Sequence, residues 1–389
     1  MFVLKTFVTV LALGFTTVSA VPHGIRARCK HTGKHTSLAA IASPSAAAVS
    51  VSTSVAAEPT DSAVASSVVS SDASVSTSAS VSVSTSAPAA SHSASSSVAP
   101  SHSSSASAPA QTFASSALRA LFPVSQEKSW STSSSVQGAR PLSDATLRPT
   151  KVMSVLSHNY VDHAGKKAMQ AHYPAGSFNL KNEPHGGVSF YALGPSDIDF
   201  TTAKEVTLGY SVFFEDGFEW VKGGKLPGLY GGDNAETAVS CSGGRRDDTC
   251  WSSRLMWRTA GAGELYTYLP PDEAANKAVC DVPPMSTCND VYGASVGRGA
   301  FDWKDGQWNT VSQRLRLNDA GKANGEIELF VEGKSVIKAT GLVLRRTDAG
   351  RIFGIQMQSF FGGSDRSWAT PKDQNIYFAD FSVAITEKL

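Results

Sequence analysis

Between residues 51 and 110 the sequence has no lysine, no arginine and no aromatic residue, and 24 serines and 14 alanines fill most of the 60 positions. Such a stretch cannot bury enough apolar surface to offset its conformational entropy, so a packed core is excluded there. Charge is scarce as well: 17% of the 389 residues are charged and the net charge is +1. Past residue 139 there are 27 Lys and Arg against 29 Asp and Glu. That balance excludes a broad basic surface for nucleic acid, so an anionic ligand has to be held by a local cluster of cations. No run after the first 20 residues is long and apolar enough to span a bilayer, and the tail Ala384–Leu389 carries no anchor signal. Cysteine is sparse. Of the five, the four in the folded part are never spaced as CxxC and have no companion histidine, which argues against zinc.

What is present begins with Met1–Ala20, in which Lys5 precedes an apolar run ending in Val18-Ser19-Ala20. This is the pattern of a secretory leader. The Ser/Ala/Thr/Pro-rich stretch from Ser37 to Ser135 reads as a mucin-like spacer or a plain disordered linker. The expected organisation is therefore a leader (1–20), a linker (21–139) and one folded domain (140–389). Secretion permits disulfides. Cys241 with Cys250 and Cys280 with Cys288 would each close a short Gly/Asp/Pro-rich loop, which leaves Cys29 over.

Short alternating runs dominate the folded part: 206–214, 308–317, 352–361 and 376–385, with 326–331 and 335–338 as a hairpin about Glu332-Gly333-Lys334. In the second run Val311, Gln313, Leu315 and Leu317 share one face, and Ser312, Arg314 and Arg316 the other. Short strands with Gly/Asp/Pro punctuation predict an all-β fold, a jelly-roll sandwich with one concave face. Residues 251–258 and 264–269 flank the small residues Thr259-Ala260-Gly261-Ala262-Gly263. With those five as the loop, Arg258 faces Glu264, Met256 faces Tyr266 and Arg254 faces Tyr268. Ser252, Arg254, Met256, Arg258, Glu264, Tyr266 and Tyr268 then share one polar, aromatic and cationic face. Trp251, Ser253, Leu255, Trp257, Leu265, Thr267 and Leu269 form the core face, since the opposite register would bury two arginines.

Upstream, Lys222-Gly223-Gly224-Lys225-Leu226-Pro227-Gly228-Leu229-Tyr230-Gly231-Gly232 suggests a tight, irregular loop that holds Lys225 close to a ligand. Its order is not that of a phosphate-binding loop. Gly223–Leu229, Ser252-Ser253-Arg254 and Tyr266-Thr267-Tyr268 together resemble polysaccharide lyase family 14, over roughly residues 188–385. The leader and stalk suggest a secreted, fungal-type member. The resemblance implies a jelly roll whose concave face holds a uronic-acid polymer such as alginate or glucuronan. It also implies a catalytic set at Lys225, Ser252, Arg254, Tyr266 and Tyr268.

A uronan lyase must neutralise the C6 carboxylate, remove the C5 proton and protonate the departing 4-linked oxygen. Arg254 suits the first task, because a guanidinium binds a carboxylate with two bonds. Lys225 and the tyrosines Tyr266 and Tyr268 are all candidates for the base. Ser252, Arg258, His185, Gln356 and Gln358 are expected to bind substrate. No cofactor or metal is expected. The expected partner of the chain is an anionic polysaccharide, with no nucleic acid and no membrane, and the chain is expected to be a secreted monomer. The competing reading is a carbohydrate-binding or wall-associated module without catalysis.

Overall fold

The computed structural model describes residues 116–125 and 128–389. The leader, most of the Ser/Ala-rich stretch and Cys29 lie outside the described residues. The elements are α1 (Ser116–Leu121), β1 (Lys128–Ser131), α2 (Asp144–Leu147), β2 (Pro149–Thr150), β3 (Asn159–His163), β4 (Lys166–Tyr173), β5 (Val188–Ala192), β6 (Ala203–Phe214), β7 (Gly223–Gly232), β8 (Cys250–Arg258), β9 (Ala262–Tyr268), β10 (Ala294–Asp302), β11 (Trp308–Arg316), β12 (Gly325–Val331), β13 (Lys334–Leu342), β14 (Arg351–Phe361) and β15 (Gln374–Lys388). One sheet runs β13-β12-β11-β6-β15-β4-β3, with β1 added to β15, and the other runs β10-β9-β8-β7-β14-β5-β2. The two form a sandwich of jelly-roll type.

Alternation supplies the core between the sheets. On β6, Val206, Leu208, Tyr210, Val212 and Phe214 all point inward, as do Val311 and Leu315 on β11. β15 buries Ile376 and Phe378, then Phe381, Val383 and Ile385. The parity changes at Asp380, whose φ of 58° kinks the strand. The predicted hairpin forms between β12 and β13, with Val331 opposite Lys334, so Glu332 and Gly333 alone make the turn. Both have positive φ, 49° and 76°, as a turn that follows strand twist requires.

Three expectations are corrected. The fold begins before residue 140, because β1 pairs with β15 from Lys128↔Ile385 to Ser131↔Ser382. Trp130 is buried in the main core, and Ala120 and Leu121 of α1 are buried as well, with the Ser312 hydroxyl donating to the Ala120 carbonyl. The surrounding serines mask these few apolar anchors in any composition average.

The segment 223–232 is a central strand, not an irregular loop. Its glycines answer to neighbours rather than to turns. A Cβ on Gly224 would lie 2.1 Å from Cζ2 of Trp257, and one on Gly231 would lie 2.3 Å from Cζ2 of Trp251.

The β8–β9 register differs by two residues from the expected one. Ser252 faces Tyr268, Arg254 faces Tyr266 and Met256 faces Glu264. The turn is tighter than five small residues, with Ala260 at φ 58° inside it. A shift of two preserves both faces. Trp251, Leu255, Trp257, Leu265 and Leu269 are accordingly in the core.

Candidate active site

β7 carries a bulge at the centre of the β10-β9-β8-β7-β14-β5-β2 sheet. Leu226 pairs with Leu255 and Leu229 with Ser253, so Pro227 and Gly228 together oppose Arg254. Proline has no N–H for a sheet ladder and is tolerated in a central strand at such a bulge. A Cβ on Gly228 would sit 2.0 Å from the Ser253 carbonyl oxygen and 2.5 Å from Cα of Arg254. The opposite sheet supports the bulge across the core. Gln313 accepts the Leu229 N–H at 3.2 Å and donates to Ser253 Oγ at 2.8 Å, and Tyr210 OH donates to the Pro227 carbonyl at 3.0 Å. The extra residue changes the parity of β7. Lys225 and Tyr230 lie an odd number of positions apart, yet both stand on the concave face, opposite Met256 and Ser252.

The segment 233–249, between β7 and β8, folds back over that face. The Cys241–Cys250 disulfide closes it, and Cys280–Cys288 forms the second predicted bridge. Three hydrogen bonds fix the segment to the sheet: Ser252 Oγ donates to the Cys241 carbonyl at 2.7 Å, Gly244 N–H donates to Tyr268 OH at 3.0 Å, and Tyr191 OH donates to the Val239 carbonyl at 3.1 Å. A cleft of about 350 Å³ remains between this segment and residues 179–181 and 363–364. Lys225, Arg254, Tyr266 and Tyr268 line it together with Gln358, and no Asp or Glu does.

Arg254 lies at the centre with 1% of its surface exposed. Its Nη1 donates to Gln358 Oε1 at 3.1 Å, while its Nε has no partner. Among the described residues no carboxylate pairs with it. Burial pushes its pKa below the ordinary guanidinium value, opposed by Tyr268, Tyr266 and Tyr191. An arginine stays charged even so. Lys225 Nζ stands 4.5 Å from the centroid of the Tyr266 ring. Its side chain occupies space that a Cβ on Gly362 would contest, 2.9 Å from Nζ.

The remaining predicted residues are placed differently from one another. Gln358 and Gln356 brace Arg254: Gln356 Nε2 donates to Gln358 Oε1 at 2.8 Å, and Gln358 Nε2 donates to Ser189 Oγ at 3.1 Å. Ser252 spends its proton on the Cys241 carbonyl. Arg258 bonds Glu264, Nη2 to Oε1 at 2.7 Å, and Arg298 meets the other carboxylate oxygen at 2.9 Å. Burial opposes ionisation of Glu264, but Arg258, Arg298 and Ser295 outweigh it and hold its carboxyl below the usual range. His185 follows the cis peptide Glu183–Pro184 and does not line the cleft. Its Nδ1 is buried without a partner.

Sequence reasoning missed Arg245 and Lys181, which line the cleft, and Tyr191 behind them. All three arrive from segments with no alternation to read: two loops and a strand, β5, buried throughout. It also passed over Gly293-Ala294-Ser295-Val296-Gly297, which has the spacing of a hydrolase nucleophile elbow. Ser295 sits in strand β10 with its hydroxyl donating to Glu264 Oε2 at 2.5 Å, not on a strand–turn–helix, so that reading fails.

A jelly-roll concave face with an unneutralised arginine, a lysine and paired tyrosines defines a binder or transformer of acidic carbohydrate. The family model for polysaccharide lyase 14 matches residues 161–381, and the chain belongs to that family. It is similar to the marine PL-14 alginate lyase of Aplysia kurodai, with 33% identity and a TM-score of 0.55, over 67% of this chain and 100% of that one. It is also similar to the Chlorella virus alginate lyase vAL-1, with 25% identity and a TM-score of 0.50, over 60% of this chain and 90% of that one. No curated protein matches it.

Proposed function

We propose that the chain cleaves uronic-acid polymers of the alginate or glucuronan type by β-elimination, with Arg254, Lys225 and Tyr268 as the working set. The observation that carries this is the buried Arg254, paired with no carboxylate among the described residues, at the base of a cleft with no acidic lining. Burying a charge is costly unless it is paired, so the site is built for an anion that arrives with the ligand. Hydrolysis by two flanking carboxylates has no acids here to perform it.

A uronate carboxylate on Arg254 loses its negative charge to the guanidinium, which lets negative charge develop at C5. Lys225, in its neutral form, takes the C5 proton. The C5–H electron pair becomes the C4=C5 double bond as the C4–O bond breaks. Tyr268 gives its proton to the departing oxygen, and the Gly244 N–H then donates to the resulting phenolate. The face of the Tyr266 ring stabilises the ammonium that Lys225 becomes on taking the proton.

The leader-like N-terminus favours work outside the cell, and two disulfides support that reading. The test mixes the protein with polyuronates and follows the ultraviolet absorbance of the unsaturated uronate. Turnover is expected on at least one polymer. Tight binding without any unsaturated product would replace the enzyme with a binding module.

A further inference from the structure

The segment 233–249 carries a cation that the elimination does not use. Arg245 lines the cleft beside Arg254. Its Nε donates to the Ser240 carbonyl at 3.0 Å and its Nη2 to Ser242 Oγ at 3.4 Å. Both acceptors are neutral, and no carboxylate among the described residues pairs with it. Several other arginines are neutralised by carboxylates, while Arg148, Arg246 and Arg351 bond backbone carbonyls. Arg258 and Arg298 share Glu264, Arg314 meets Glu205 and Glu326, and Arg316 meets Glu387.

Arg245 is also held in register with the chemistry. The preceding residue, Gly244, is hydrogen-bonded to Tyr268 OH, and the disulfide and the Ser252–Cys241 bond anchor the same segment. Tyr191 feels both guanidiniums: burial raises its pKa, and Arg254 and then Arg245 draw it back. Lys181 adds a further cation on the opposite wall. One reacting carboxylate occupies Arg254, which leaves the charge at Arg245 for a second.

We propose that Arg245 is a second carboxylate-binding residue, which holds the uronate adjacent to the one on Arg254, so that the preferred substrate is a run of contiguous uronates. This rests on the elimination reading above.

The test compares Arg245→Gln and Arg245→Lys with the parent chain on two polymers: alginate, in which uronates are contiguous, and hyaluronan, in which uronate alternates with a neutral amino sugar. A hydrogen-bonded charge pair is worth enough that Arg245→Gln should raise KM on alginate roughly 10-fold, with kcat within about twofold. Arg245→Lys should recover part of that loss. Any activity on hyaluronan should respond far less. An unaltered KM on alginate, or equal losses on both polymers, would overturn the inference.

Affinity for an alginate tetramer, measured by calorimetry in a Lys225→Ala background, separates the two claims. A parent without elimination whose affinity still falls with Arg245→Gln would fail the enzyme reading and keep this one. An affinity that does not change would sink this one alone. Arg245 is exposed, so melting temperatures should match and exclude misfolding as the cause.

Discussion

Glu264 is fully buried between two arginines, and a change there should be felt as stability more than as chemistry. Glu264→Gln leaves Arg258 and Arg298 facing a neutral amide, which should cost about 3–5 kcal/mol in denaturant titration. Its folded pKa is depressed, so its contribution is present above the unfolded value and is lost as pH falls through the folded one. The parent should therefore weaken steeply in acid, and Glu264→Gln should flatten that dependence. The catalytic residues should behave oppositely, with large losses of turnover and little change in melting. Arg254→Lys keeps the charge but not the two-bond geometry, so kcat should fall about 10²–10³-fold. Tyr268→Phe removes one oxygen, and turnover should fall about 10²–10⁴-fold. Full turnover in either would refute its role. Arg254, Tyr266 and Tyr268 were legible in the sequence because side chains two apart in a strand share a face, whereas Lys225 followed only from the family resemblance. Arg245 was not, since its place depends on a loop folding back across the sheet.

The β7 bulge is the element on which Lys225 and Arg254 both depend. Gly228→Ala would press a methyl group into the backbone of β8 at Ser253 and Arg254. It should lower kcat well beyond its effect on KM, and unchanged kinetics would refute the dependence. Gln313→Leu strips partners from the Leu229 N–H and Ser253 hydroxyl inside the core. Each unsatisfied group should cost roughly 1–3 kcal/mol, read as a lower melting temperature. Alternation along β11 puts Gln313 on the inward face but reveals no partner for it, because the partner is a bulge in the other sheet. β7 itself reads as a loop in the sequence because glycine and proline signal turns locally. Only the tryptophans of β8, packed against those glycines, reveal why a strand is built from them. The β8–β9 hairpin illustrates the complementary case: its faces followed from alternation, while its register followed from turn geometry that no alternation records.

At the scale of the molecule the jelly roll was legible from evenly spaced short strands, and the start of the domain was not. Trp130 and Leu121 are single apolar residues in a serine-rich background, and their burial depends on strands far along the chain. The pairing of β1 has a consequence for how copies of this protein meet in solution. On one side β15 is bonded to β6; on the other, β4 covers Gln374–Phe378 and β1 covers Ser382–Ile385. A chain beginning at residue 140, where composition alone would cut, would leave that second half as an open edge beside Val383 and Ile385. Unpaired strand edges recruit other strands. Such a chain should self-associate as its concentration rises, visible as larger species in light scattering, whereas one beginning at residue 116 should scatter as a single species. The four residues of β1 thus act as a stopper against polymerisation.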